Sequence, residues 1–352
     1  MSTLLFESLQ SWWPEAILSL GALLVALAGV WEKRSRPASL LAWITLAAAA
    51  LALWQTQVPP SAGVFFGVIV CDPFSLAFRW IALGTTAIVL LLVQASRDVA
   101  PSKHGEYLSL LLLIGVGLML MAEANHLLMA YVALELVSLS SYILVGFIDD
   151  QRGAEASLKY LLFGALSSGI MLFGMSLLFG LTGQLAFPEL LKASVGLGQP
   201  MAGVLLVAIA LMLAGLAFKI SMVPFHMWTP DAYEGAPVPV AALLSVGPKA
   251  AGLALLWRLM EALKPAWPDL APIILGLTIV TMTLGNVVAL VQTNVKRLLA
   301  YSTIGQVGYL LIGFAVGTAR GLEALLLYLV AYLFMNLGAF ACVVAVARGT
   351  GE

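Results

Sequence analysis

The sequence predicts an all-α integral membrane protein: a polytopic bundle of about eleven transmembrane helices, with inverted-topology repeats and a discontinuous helix. Three observations carry this. Of 352 residues, 62% are hydrophobic and only 10% are charged, against about 25% charged in soluble domains. Mean hydropathy is +1.02. Apolar runs of about 20 residues, long enough to cross a hydrocarbon core, recur along the whole chain.

The first run, near residues 12–31, reads as a spanning helix with its N-terminus outside. A cleavable signal carries positive charge ahead of its apolar stretch, whereas Lys33, Arg34 and Arg36 follow this one. Glu7 and Glu15 also argue against an export signal. Runs near 38–56 and 73–95 complete an N-terminal unit, residues 1–106. Runs near 107–123, 125–148, 154–181, 201–222 and 237–262 make a second unit, 107–262. Those near 270–292, 296–317 and 321–347 make a third, 263–352. Short turns with Pro, Gly, Asp or Asn separate them.

Orientation follows from the basic residues. With the N-terminus outside, Lys33, Arg34, Arg36, Arg97, Lys103, Arg152, Lys296, Arg297 and Arg348 flank inner ends, while Lys192, Lys264 and Arg320 flank outer ones. The larger inner set fits the positive-inside rule.

An internal repeat is visible. GAEASLKY (153–160) is echoed by GLEALLLY (321–328), HLLMAY (126–131) by RLLAY (297–301), and SYILVGF (141–147) by GYLLIGF (308–314). The echoes keep their order. The copies begin an odd number of spans apart, so they face opposite ways across the membrane, as in many ion carriers. In such folds each repeat supplies a broken helix near the midplane. The stretch FKISMVPFHMWTPDAYEGAPVP (218–239) is that break for residues 107–262, near 219–237. Pro224 removes a backbone donor there.

Charges inside the bilayer cost about 2.5–3.5 kcal/mol each on insertion scales, so each is worth a reading. Glu135 lies mid-run in YVALELVSLSSY, Lys219 just before the break, and Lys249 behind Pro248 in LLSVGPKAAGLALL. Glu135 is expected to be the counter-charge of Lys219, because no other carboxylate is read at that depth. Burial disfavours a charged lysine and a carboxylate partner favours it, so such a pair is switchable. Free carbonyls at the end of the broken helix would also receive the ammonium. Lys249 is the next station. The alternative for all three is a set of structural pairs that only hold helices together.

Other polar groups rank lower. His226 is a relay candidate or a partner for a freed carbonyl. Tyr142, with Ser138, Ser140, Ser141, Ser245, Thr303 and Gln306, would hold waters or bond across helices. Arg79 and Lys159 are expected to snorkel from span ends, with Lys159 a candidate feed from the inner side. Glu155 and Glu323 read as first-turn acids. Asp231 and Glu234 read as loop or capping residues. Methionines and aromatics read as packing or lipid-facing.

Several classes are excluded. No polar segment is long enough for a soluble catalytic domain. Cys71 and Cys342 are isolated, His104, His126 and His226 form no metal-binding spacing, and no phosphate-cradling Gly-rich loop is present. No metal, cofactor or nucleic-acid site is expected.

At these residues the chain resembles a known family. FHMWTPDAYEGAPVPVAALLSVGPKAA (225–251), with HLLMAYVALELVSLSSY, GAEASLKYLLFGA and VKRLLAYSTIGQVGYLL, is similar to the antiporter-like membrane subunits of proton-pumping NADH–quinone oxidoreductase, or complex I. WTPDAYEGAP and SVGPKAA look like the N (subunit 2) branch, and the wider family includes cation/proton antiporters. The resemblance implies a proton path through Glu135, Lys219 and Lys249. It implies that NADH, FMN, iron–sulfur clusters and quinone are bound by partner subunits. It implies other antiporter-like chains, small helical subunits and lipid as partners, in a bacterial inner membrane, with an organellar inner membrane as the second placement. The family carries a second broken helix bearing another lysine. This chain stops at Glu352 before it, so its second repeat is expected to be partial. Two other readings stay open: an antiporter subunit without redox partners, and a bundle whose buried charges only fix packing.

Overall fold

In hydrocarbon, a backbone must satisfy its own N–H and C=O groups, so each apolar run is driven into a helix. The computed structural model describes residues 8–31, 35–58, 63–148, 150–195 and 199–350. Glu7, Lys33, Arg34 and Glu352, used in the reading above, lie outside them. Among the described residues, 11 helices are long and apolar enough to cross a membrane. They fall where the apolar runs do, within a few residues at most ends.

The chain runs α1 (Trp13–Trp31), α2 (Ser35–Gln55), a hairpin of β1 (Gly63–Val64) and β2 (Ile69–Val70), and α3 (Pro73–Ala95). There follow α4 (His104–Glu123), α5 (Leu127–Val145), α6 (Gln151–Thr182), the short α7 (Phe187–Val195) and α8 (Gln199–Ile220). After the break come α9 (Trp228–Gly235), α10 (Val238–Ala262), α11 (Trp267–Ala289), α12 (Val295–Val316) and α13 (Ala319–Thr350). The hairpin and α7 were not foreseen as elements. The hairpin hydrogen-bonds the α4–α5 turn, where the Asn125 amide N–H donates to the Val68 carbonyl at 3.0 Å.

Helix α10 is the axis of the bundle, and nearly all its residues are buried. It packs on α3, α4, α5, α8, α12 and α13. Backbones meet where side chains vanish: a Cβ on Gly29 of α1 would stand 2.6 Å from Gly105 Cα of α4. The echoed segments 153–160 and 321–328 lie near the starts of α6 and α13, each 32 residues long.

The break after α8 is closed, not frayed. Ser221 takes a left-handed φ of +65°. The Met222 N–H donates to the Ala217 carbonyl at 2.8 Å, and the Ser221 N–H to the Phe218 carbonyl at 3.1 Å. This is the paired ending that usually uses glycine. Beyond it, the Val223 N–H donates to Thr281 Oγ1 of α11 at 3.1 Å, and Trp228 Nε1 donates to the Phe218 carbonyl at 3.0 Å. Side chains therefore satisfy what the proline-containing turn leaves open. The Val223–Pro224 peptide is cis. The expected discontinuous helix is present, with Lys219 in the last turn of its first half.

Candidate functional site

Helices α5, α6, α8, α9, α10 and α11 meet around the break. Lys219 is fully buried and its Nζ donates to Ser138 Oγ of α5 at 3.0 Å. The Ser138 hydroxyl in turn donates to the Leu134 carbonyl at 2.8 Å, leaving oxygen lone pairs for the lysine. Glu135 precedes Ser138 by three residues, so both lie on one face of α5. Its carboxylate accepts a short hydrogen bond from Ser168 of α6.

The expected direct pair is thus corrected. Among the described residues, no ion pair joins Lys219 to Glu135; the glutamate stands one helical turn from the serine that holds the lysine. The physical reason is register: the lysine emerges one turn further along α5, where a serine stands. Among the described residues, no carbonyl at the helix end receives the ammonium either.

Lys249 is fully buried on α10, and its Nζ has no hydrogen-bond partner among the described residues. It lies instead 4.6 Å from the ring centre of Trp228 and 5.6 Å from that of Tyr233, both on α9. A cation over an aromatic face is worth about 2 kcal/mol when desolvated. Helix α10 runs close beside Lys219: a Cβ on Gly252, three residues beyond Lys249, would stand 3.9 Å from Lys219 Cγ. These aromatics are therefore part of the site rather than generic packing. Trp228 is held flat against Tyr160 of α6, centroids 4.2 Å apart at 11°.

Beyond Lys249 lies a buried polar cluster that ties α10, α12 and α13. Asn336 Nδ2 donates to Ser245 Oγ at 2.5 Å. The Tyr332 hydroxyl lies 2.9 Å from the Ser245 carbonyl and 3.2 Å from Thr303 Oγ1. Ser245 and Thr303 were candidates; Tyr332 and Asn336 were missed, although a polar Asn336 in an apolar run was a usable signal.

The relay candidates divide. Tyr142 is buried on α5 and its hydroxyl occupies space left by the missing side chain of Gly164. Its ring packs edge-on to Tyr160, whose hydroxyl lies 3.1 Å from Ser141 Oγ. His226 sits in the turn before α9, and no hydrogen bond links it to Lys219 or Lys249 among the described residues. Lys159 is about half exposed and pairs with Glu155 at 2.7 Å and Asp231 at 3.2 Å. It is not brought to Glu135.

Other expectations are corrected. Asp231 and Glu234 are not simple caps: Arg297 Nη1 of α12 reaches them at 2.7 and 2.9 Å, tying α9 to α12. Glu155 and Glu323 sit past the first turn, because α6 and α13 begin earlier. Asp150 caps α6 instead, accepting from the Gly153 N–H at 2.7 Å. Arg79 does not snorkel: it is fully buried, paired with Glu15 at 2.6 Å and Glu123 at 3.1 Å. Glu123 was assigned nothing, yet among the described residues Glu15 and Glu123 are the buried glutamates, whereas Glu135 is half-buried.

Residues 124–351 match the family described as NADH:quinone oxidoreductase/Mrp antiporter, TM. The chain is 42% identical over 366 residues to an NADH-quinone oxidoreductase subunit N of Anaeromyxobacter sp., covering 96% of this chain and 70% of the relative. It is 44% identical over 347 residues to an NAD(P)H-quinone oxidoreductase subunit 2 of Gloeobacter violaceus, covering 96% of this chain and 66% of the relative. Among solved structures, it superposes on a chain of respiratory complex I from Thermus thermophilus with a TM-score of 0.79 at 33% identity, covering 94% of this chain and 70% of that one. It also superposes on a chain of the Mrp complex from Dietzia sp. with a TM-score of 0.81 at 27% identity, covering 99% of this chain and 38% of that one.

Proposed function

Because the chain belongs to the transmembrane family that NADH:quinone oxidoreductases share with Mrp antiporters, and is a proton-translocating membrane subunit of the oxidoreductase kind, we propose that its protons move between Glu135, Lys219 and Lys249. The observation that carries this is the buried Lys219 ammonium, held at the end of a broken helix by Ser138, one turn from Glu135. Among the described residues no carboxylate forms an ion pair with this ammonium, and its hydrogen bond runs to a neutral hydroxyl.

The mechanism follows from charge. Two nearby buried lysines oppose one another, so a proton on one disfavours a proton on the other. Glu135 stabilises charge on Lys219. If Glu135 moves away or is protonated, the Lys219 proton loses its counter-charge and passes toward Lys249, where aromatic faces receive it. The Ser245–Thr303–Tyr332–Asn336 cluster offers hydroxyls beyond. Tyr142 and Ser168 border the Glu135 end. Lys159, through Asp231, connects the inner surface to α9, and His226 lies beside that segment as a further relay.

We read residues 107–262 and 263–352 as repeats of opposite orientation behind the 1–106 unit; the matched lengths and matched starts of α6 and α13 support it. With the N-terminus outside, the Asp231 end faces inward. In a complex, NADH, FMN, iron–sulfur clusters and quinone would sit on partner subunits, and other antiporter-like chains, small helical subunits and lipid would flank this one in a bacterial inner membrane.

The test is Lys219→Ala in the assembled oxidoreductase. Coupled proton uptake into vesicles should be lost while assembly on native gels persists. Normal pumping would sink the assignment. A second reading, an antiporter subunit without redox partners, is favoured by the similarity to the Mrp chain. Copurification with other membrane chains but no flavin or iron–sulfur proteins would select it.

A further inference from the structure

At the end of the bundle opposite Asp231, Glu15 of α1, Arg79 of α3 and Glu123 of α4 are sealed together, 0%, 0% and 2% exposed. They lie beneath the β1–β2 hairpin, whose Ile69 bridges Ala124.

Arg79 is committed to Glu15. Its Nε–H donates to Glu15 Oε1 at 2.8 Å and its Nη2 to Oε2 at 2.6 Å, the two-pronged fit of guanidinium to carboxylate. Nη2 also donates to the Ser11 carbonyl at 2.9 Å, and Nη1 to Cys71 Sγ at 3.8 Å. Glu123 Oε1 lies 3.1 Å from Nε. That nitrogen has a single hydrogen, and it is directed at Glu15. Glu123 Oε2 is shut off from solvent and has no hydrogen-bond partner among the described residues.

The next cation is not free either. Arg258 of α10 is held by Asp72 through two hydrogen bonds, each 2.7 Å. Its Nε donates to the Ala122 carbonyl at 3.1 Å. Around Glu123, then, the charged groups are Glu15, Arg79, Asp72 and Arg258, with the free thiol of Cys71 beside them. Three carboxyls face two guanidiniums, and each guanidinium is already matched to a carboxyl other than Glu123. An ionised Glu123 would share with Glu15 a guanidinium whose Nε–H is already given to Glu15, and would hold a second negative charge beside that carboxylate in a sealed site. A bound proton removes that charge.

We propose that Glu123 is a second proton-binding carboxyl of this protein, carrying its proton beside the Glu15–Arg79 ion pair, at a site separate from Lys219 and Lys249. Glu15 is the charged member and Glu123 the neutral one.

The assignment separates the two glutamates by experiment. Infrared spectra of the full chain in lipid vesicles at neutral pH should contain a protonated-carboxyl C=O component that shifts in D2O. That component should vanish in Glu123→Gln and persist in Glu135→Gln. Glu123→Gln replaces a neutral group by a neutral isostere, so its melting temperature should match the parent chain. Glu15→Gln strips Arg79 of its partner and should melt several degrees lower. A component that survives Glu123→Gln overturns the proposal. So does a Glu123→Gln chain that fails to fold or melts as low as Glu15→Gln. The reversed order of stability would put the proton on Glu15 and overturn it equally.

Discussion

Lys219 meets Glu135 through a face of α5 rather than by contact: its ammonium hydrogen-bonds Ser138 Oγ at 3.0 Å, three residues beyond the glutamate. A direct buried pair would be hard to separate, because parting it strands two desolvated charges. The Ser138 hydroxyl lets the lysine keep a partner while the electrostatic hold of Glu135 rises or falls.

Ser138→Ala should therefore slow translocation without unfolding the chain. It leaves a buried ammonium short of an acceptor, at about 1–3 kcal/mol. A loss of that size in the step that uses Lys219 corresponds to roughly tenfold in rate or more. Ser138→Thr, which keeps the hydroxyl, should stay near the parent rate. Initial proton-uptake rates in vesicles of the assembled complex decide it; equal rates for Ala and Thr would count against the serine.

Trp228 both closes the break and faces Lys249. Trp228→Phe keeps a ring but loses the hydrogen bond to the Phe218 carbonyl. Trp228→Leu loses the ring as well, and with it about 2 kcal/mol of support for a charged Lys249. Translocation should fall in the order parent, Phe, Leu, measured in the same vesicles. If Leu equals Phe, the aromatic face contributes nothing.

Arg79 holds together three helices. Arg79→Met leaves the Glu15 carboxylate buried and unpaired, which should cost about 3–5 kcal/mol. The chain should melt well below the parent in detergent, while Arg320→Met, at an exposed helix start, should not.

Asp72 supplies a pH signature. Burial raises its affinity for a proton, but the two hydrogen bonds from Arg258 and the N-cap bond from Ser75 outweigh it and hold the carboxyl below its usual 3.8. A carboxyl lowered in the folded state stabilises the fold above its unfolded value. That contribution shrinks as the pH falls below 3.8 and is gone once the pH passes the lower folded value. Asp72→Asn, which keeps a capping side chain, should remove this part of the acid limb from melting curves taken down that range. An unchanged limb would show that the pair with Arg258 contributes no linkage.

Much of this molecule was already legible from its residues. The length and spacing of the apolar runs determine eleven spanning helices, because hydrocarbon leaves a backbone few ways to satisfy itself. Pro224 beside Lys219 determines where a helix breaks. Isolated charges in apolar runs marked Glu135, Lys219 and Lys249, since such charges are costly and rarely idle. What only the tertiary structure decided is which of these groups meet. Periodicity places Glu135 and Ser138 on one face of α5, but the rotation of α8 against α5 chooses Ser138 for Lys219. The fold of the break lays Trp228 and Tyr233 beside Lys249. Glu15, Arg79 and Glu123 stand on three different helices, each near a span end where a charge would reach water. Only the packing of those helices beneath the hairpin takes water away and turns three ordinary end charges into one buried site.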